Sequence, residues 1–197
     1  MFLAAAALVL VLAVPLLGGD LRRLSAIRLR SVPLLYAMLA AQVVLTEVPH
    51  VTSHAVGGVI HVATYIGIAV FAWHNRAIPG VLVIALGGML NGITIALNGG
   101  TLPASATALR AAGVHLRASD FANSGPVAHP KLAFLGDTMA TPPWLPLRNV
   151  ISIGDLVILA GVLILLHVAG RDSRPSLRPE TPSSVNPQRS PAALAQP

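Results

Sequence analysis

The sequence predicts an all-α protein: an integral membrane bundle of five transmembrane helices with a long extracytoplasmic loop containing a short helix. Three observations predict it. Only 10% of the 197 residues are charged and 54% are hydrophobic, whereas a soluble domain carries roughly 25% charged residues. The apolar residues fall into runs near 2–18, 33–48, 56–73, 79–98 and 150–169, each close to the ~17–25 residues a helix needs to cross a bilayer. The basic residues cluster mainly between those runs. Inside lipid every backbone donor and acceptor must be satisfied within its own segment, so such runs form helices rather than open strands.

The first run lacks the basic segment that precedes the core of a signal peptide, and its arginines come afterwards. It reads as a retained helix with the N-terminus outside. The second run is the shortest and carries Gln42. Arg22, Arg23, Arg28 and Arg30 then place the next connection in the cytoplasm by the positive-inside rule. Alternation puts 49–55 outside, Arg76 inside, 99–149 outside and the tail inside. Trp73 and Trp144 fall where aromatic belts meet the two interfaces. Residues 1–170 form the transmembrane domain. The tail 171–197, rich in Pro, Ser and Arg, has little to bury and is expected to be a disordered cytoplasmic segment.

The net charge of +6 comes from 13 basic residues against seven acids. Because they sit in separate clusters and aromatics make up only 4%, they read as topology signals and headgroup contacts, not as a nucleic-acid surface. The absence of cysteine excludes disulfides, thiolate metal sites and Cys nucleophiles. No Gly-rich phosphate loop or nucleophile elbow is present, and no cofactor is implied.

The fourth run carries Gly80, Gly87, Gly88 and Gly92. Gly88 and Gly92 have the GxxxG spacing that lets helix backbones approach closely, which predicts a tight crossing inside the bundle. Association with a membrane-protein partner through the same Gly88/Gly92 face is the alternative.

The predicted topology brings polar residues to the outer side. Asn91, Thr94 and Asn98 share one face of the fourth helix by their spacing. Glu47 ends the second helix, His50 and His54 follow it, and His61 lies about two turns into the third. On the fifth helix, Asn149, Ser152 and Asp155 enter from the same side. An ionised carboxylate costs at least ~2.5–3.5 kcal/mol at a bilayer centre, so Asp155 must face protein or water. Two readings stay open: a functional pocket, or interhelical hydrogen-bond glue. Glu47, His50, His54 and His61 match no spacing that fixes metal ligands on one helix, so no metal site is expected.

In the long loop, Pro103 followed by Ala104 to Ala112 and Gly113 predicts a short helix. Pro142, Pro143 and Pro146 predict a rigid path back into the fifth span. A structured loop of this length is uncommon without a functional reason. It is expected to fold over the polar cluster as a cap and bring Asp137 towards Asp155.

Asn98-Gly99-Gly100-Thr101-Leu102-Pro103, Leu135-Gly136-Asp137 and Ser152-Ile153-Gly154-Asp155 stand in this order along the chain. Together they resemble the family of uncharacterised bacterial membrane proteins known as domain of unknown function 5317. Thr101-Leu102 stand where that family's pattern has a basic residue and Met. The resemblance implies a bacterial plasma membrane, assigns no activity, and marks Asn98, Gly99, Gly100, Pro103, Gly136, Asp137, Gly154 and Asp155. A looser similarity links the segment 149–155 to lipoprotein signal peptidases, which cleave peptides with two outer-leaflet aspartates. That analogy makes Asp137 and Asp155 a hypothetical catalytic pair.

Three functional readings follow. The first is a binding site for a small molecule or lipid headgroup, built from Asn91, Thr94, Asn98, Gly99, Gly100, Ser152, Glu47 and His61 around the two aspartates. The second is an aspartate-dependent membrane hydrolase using Asp137 and Asp155. The third is a structural subunit of a membrane complex.

Overall fold

The computed structural model describes residues 2–48, 53–114, 123–142, 144–145 and 148–171. His50 and the tail from 172 onward lie outside the described residues. The fold is mostly helical: α1 (Phe2–Ala13), α2 (Leu21–Leu24), α3 (Val32–Glu47), α4 (His54–His74), α5 (Val81–Leu97), α6 (Ala106–Ala112) and α7 (Ile153–Arg171). Four two-residue strands lie between α5 and α7: β1 (Leu102–Pro103), β2 (Ser124–Gly125), β3 (Met139–Ala140) and β4 (Val150–Ile151).

Helix ends follow local chemistry. Ser53 caps α4 by accepting from the Val56 N–H, and Ser105 caps α6 through the Ala108 N–H. Gly80 precedes α5 and Gly113 follows α6, both left-handed, a conformation that glycine adopts without steric cost. Pro33 opens α3. α1 stops early, because Pro15 starts a short 3₁₀ turn over Pro15–Leu17.

Two helices are long and apolar enough to cross a membrane, over Ala55–His74 and Ile153–Gly170. The remaining predicted spans give shorter helices: 12 residues in α1, 16 in α3 and 17 in α5. At 1.5 Å per residue these reach about 18, 24 and 26 Å, against a hydrocarbon core of about 30 Å. Length therefore supports two of the five predicted spans.

The large helices pack in the order α1, α7, α5, α4, α3. The most extensive contact joins α5 to α7, and glycine makes it possible. The two run antiparallel, with Gly80 opposite Gly161 and Gly87 opposite Gly154, a seven-residue interval on both. A Cβ on Gly87 would lie 2.5 Å from the Gly154 carbonyl oxygen, and one on Gly161 would lie 2.6 Å from the Ile84 nitrogen. The expected crossing through Gly88 and Gly92 is corrected here. Gly88 has open space around it, and Gly92 meets the Tyr65 ring of α4. The helix rotation that seats Asn91 against α7 brings Gly87, rather than Gly88, to the contact.

The arginine-bearing turns gather at one end. Asn75, after α4, accepts from the Arg30 N–H at 2.8 Å and donates to the Arg30 carbonyl at 2.9 Å. Arg76 stacks 4.6 Å over the exposed Trp73 ring. The Asp20 N–H reaches the Gly170 carbonyl at 3.4 Å. The segment between α5 and α7 occupies the opposite end. It has a small core of its own, in which Ala104, Ala108, Leu109, Ala112 and Val150 are buried together. β1 pairs with β2 in parallel, β3 pairs antiparallel with β4, and Ala104 bridges to Asp137.

Candidate functional site

Asp155 sits in the first turn of α7, where the sequence itself supplies its partners. Ser152 caps the helix: its Oγ accepts from the Asp155 N–H at 3.0 Å, and the Asp155 carboxylate accepts from the Ser152 N–H at 3.0 Å. This reciprocal pair is a capping box with aspartate in the third position. A carboxylate there also meets the positive end of the helix dipole. Asn91 of α5 completes a ring, donating to Asp155 Oδ1 at 2.9 Å and accepting from Ser152 Oγ at 3.0 Å. All three residues are buried. Gly154 has no room for a side chain, because a Cβ there would overlap the Asn91 amide.

A second set of bonds fixes the segment beyond α5. The Asn98 amide donates to the Thr94 carbonyl (2.7 Å) and to the Lys131 carbonyl (2.8 Å), and its oxygen accepts from the Lys131 N–H (2.8 Å). Thr94 Oγ1 donates to the Leu90 carbonyl at 2.9 Å. Gly99 and Gly100 are both left-handed, with φ 69° and 97°, and turn the chain onto Gly58 of α4. There His61 Nδ1 lies 2.7 Å from the Gly100 carbonyl oxygen. Thr64 joins the His61 carbonyl to Gln42 of α3, at 2.6 and 2.5 Å. Glu47 ends α3, away from these contacts in sequence, and its side chain falls outside the description.

Asp137 differs from these. It is only 4% exposed, and Ser124 Oγ donates to its Oδ2. Its backbone is pinned on both sides: its N–H donates to the Pro103 carbonyl at 2.8 Å, and its carbonyl accepts from the Ser105 N–H at 2.9 Å. Gly136 permits that approach, since a Cβ there would strike the Pro103 oxygen. Among the described residues, two buried side-chain atoms have no hydrogen-bond partner: Asp137 Oδ1 and Thr101 Oγ1. Burial pushes the Asp137 carboxyl up to about 7. The Ser124 bond opposes that shift, and the charge of Asp155 adds to it. Both aspartates also lie within electrostatic reach of Tyr65, whose ring packs at 5.4 Å against His61. No group of three His, Asp or Glu side chains gathers as a metal site among the described residues.

The structure thus joins Asn91, Ser152 and Asp155 directly and places Asn98 and Thr94 one to two turns further along α5. It holds Asp137 near enough to Asp155 to feel its charge, with no direct hydrogen bond between them. Tyr65, Thr101 and Ser124 belong to the same region and escaped the sequence reading. Tyr65 follows His61 by four residues on one helix face, a spacing that would have found it. Ser124 carries no comparable signal.

A mostly helical protein with two helices of membrane-crossing length, and a buried polar cluster at one end, is the class these features define. The chain belongs to a family of unknown function, DUF5317, whose model matches residues 26–167. An uncharacterized protein of Thermotoga maritima is 34% identical over 112 residues, which cover 55% of this chain and 63% of that relative. The match therefore spans less than two thirds of the relative's length. No solved structure matches.

Proposed function

We propose that this protein is a multi-pass protein of the bacterial plasma membrane that binds a small molecule or lipid headgroup at an extracytoplasmic site centred on Asp137. The carrying observation is the buried Asp137 Oδ1, which lacks a hydrogen-bond partner, whereas Asn91, Asn98, Ser152 and Asp155 each have one. An unpaired buried acceptor costs about 1–3 kcal/mol, which a donor group on a ligand offsets. Thr101 Oγ1, also buried and unpaired, adds a second polar group in the same segment. Asn91, Asn98, Gly99, Gly100, Thr94, Ser152 and His61 act in this reading as the frame that positions the segment.

The membrane reading is supported by the apolar side chains that every large helix leaves uncovered. Examples are Val9 and Leu12 of α1, Val43 of α3, Val59 and Ile66 of α4, Leu86 of α5 and Leu163 of α7. In water such surfaces would be an aggregation hazard; in lipid they are the expected exterior. Five spans, the N-terminus outside and the C-terminus in the cytoplasm follow from placing the arginine-rich end inside.

The test is retention of ligand by the purified full chain. The protein is loaded with a bacterial polar lipid and metabolite extract and washed, and bound species are identified by mass spectrometry. At least one species retained by the wild type should fall about tenfold or more in Asp137→Asn. Equal retention by both proteins rejects the site.

A second reading is an aspartate-dependent hydrolase, favoured by the electrostatic coupling of Asp137 to Asp155. One carboxyl would hold a proton while the other activates water. Cleavage of a lipopeptide, abolished in both Asp137→Asn and Asp155→Asn with folded protein retained, would select it over binding alone.

A further inference from the structure

At the arginine-rich end, α1 and α7 part to leave a partly open, mostly apolar recess. Leu10 and Ala13 line it from α1, Val14 from just past its end, and Leu163, Leu166 and His167 from α7. Its floor is set where the chain turns. The Gly19 N–H bonds the Val14 carbonyl at 2.9 Å, and Gly170 lies across from it. α2 follows at once and packs on α7, carrying Arg22 and Arg23, both exposed. The adjacent acid, Asp20, accepts from the Arg22 N–H at 2.9 Å as the cap of α2. An apolar slot therefore opens beside a short basic segment at one end of the bundle. α1 and α2 precede residue 26, where the family match begins, whereas Leu163, Leu166 and His167 on the α7 wall lie inside it.

We propose that this recess is a binding site for one anionic phospholipid, its acyl chain lying between α1 and α7 and its phosphate held by Arg22 and Arg23. The apolar walls of the slot offer an acyl chain dispersion contacts along its length. Arginine presents a planar fork of donors that matches phosphate oxygens in pairs, which a zwitterionic surface with its own ammonium neutralises. Clustered basic residues beside a membrane helix also favour the anionic lipids of the cytoplasmic leaflet. The inference rests on the membrane reading above but not on Asp137.

The experiment uses the full chain in nanodiscs of phosphatidylglycerol and phosphatidylcholine, followed by detergent washing and native mass spectrometry. One phosphatidylglycerol per chain should survive washing, and phosphatidylcholine should not. Retention should fall at least about fivefold in Arg22→Gln/Arg23→Gln, and less in Arg22→Gln alone. It should fall similarly in Ala13→Phe, which fills the recess without touching a charge. Arg110→Gln, which removes one charge as Arg22→Gln does but on α6 at the other end, should leave it unchanged. Retention that is equal for the two lipids, insensitive to the double variant, or equally lost with Arg110→Gln overturns the site. Failure of the wild-type chain to enter nanodiscs at all overturns the membrane reading together with it.

Discussion

The helix bundle and the segment between α5 and α7 treat buried polar groups in opposite ways. Within the helix bundle they come in closed sets. Asn91, Ser152 and Asp155 satisfy one another, Gln42, Thr64 and His61 form a chain from α3 to the Gly100 carbonyl, and Asn75 clamps Arg30. In the segment between α5 and α7, Thr101 Oγ1 and Asp137 Oδ1 are left without partners. Closed sets hold helices in register and offer nothing to a ligand. An open acceptor, buried and pinned by its own backbone, is where a further molecule gains most. The conspicuous acid of α7 is thus the better strut, and the loop acid the one on which the proposed site rests.

The largest effect that would sharpen this contrast is expected at the α5–α7 crossing. Gly154→Ala drives a Cβ into the Asn91 amide. Overpacking costs about 1–3 kcal/mol, and parting Asn91 from the Asp155 carboxylate costs about 1.5–3 kcal/mol more. Gly87→Ala should lose a comparable packing share through Gly154 and Ile158. Gly88→Ala, one residue on and in open space, should be neutral or gain up to about 1 kcal/mol from helix propensity. Unfolding of the three variants in detergent measures the ranking. A Gly88→Ala loss equal to that of Gly87→Ala would mean that the crossing uses the other face.

A smaller and more local effect is expected at Asn98. Its amide and oxygen make three bonds, two of them to the Lys131 backbone. Asn98→Ala removes this clamp on the exposed Lys131 backbone, at a cost of about 0.5–1.5 kcal/mol. Because the segment has its own core around Ala108 and Leu109, the loss should appear as faster proteolysis near residue 131 and only a modest fall in the bundle's Tm. An unchanged cleavage pattern would show that the core, and not the clamp, fixes the segment.

How much of this was legible depends on the range of the interaction. The short helix ending at Gly113 follows from local chemistry as expected, whereas the break at Pro15, inside the run expected to span 2–18, carried an equally local signal that the length of the apolar run masked. Ser152-Ile153-Gly154-Asp155 also carried a local signal, since serine followed three residues later by an acid is a capping box. Reading Asp155 through membrane cost alone obscured it. The choice of Gly87 over Gly88 was not legible, because a glycine pair fixes no helix rotation. The Ser124–Asp137 contact arises from β1–β2 pairing between segments about 20 residues apart, and two-residue strands leave no periodicity to read.

The finest test separates the two aspartates by pH. Burial raises Asp137 from its ordinary 3.8 to about 7 in the folded chain. Below 3.8 the group is protonated in both states and contributes no difference. Between 3.8 and 7 the folded chain holds more protons than the unfolded one, so stability falls as pH rises, and the full cost is present above 7. Asp137→Asn removes that slope while its side-chain oxygen still accepts from Ser124. The Tm of the wild type should therefore drop relative to Asp137→Asn as pH rises from about 4.5 to 8, with the variant equal or more stable at the top of the range. Parallel curves would mean that Asp137 is solvated or already paired, and the open acceptor on which the comparison turns would not exist.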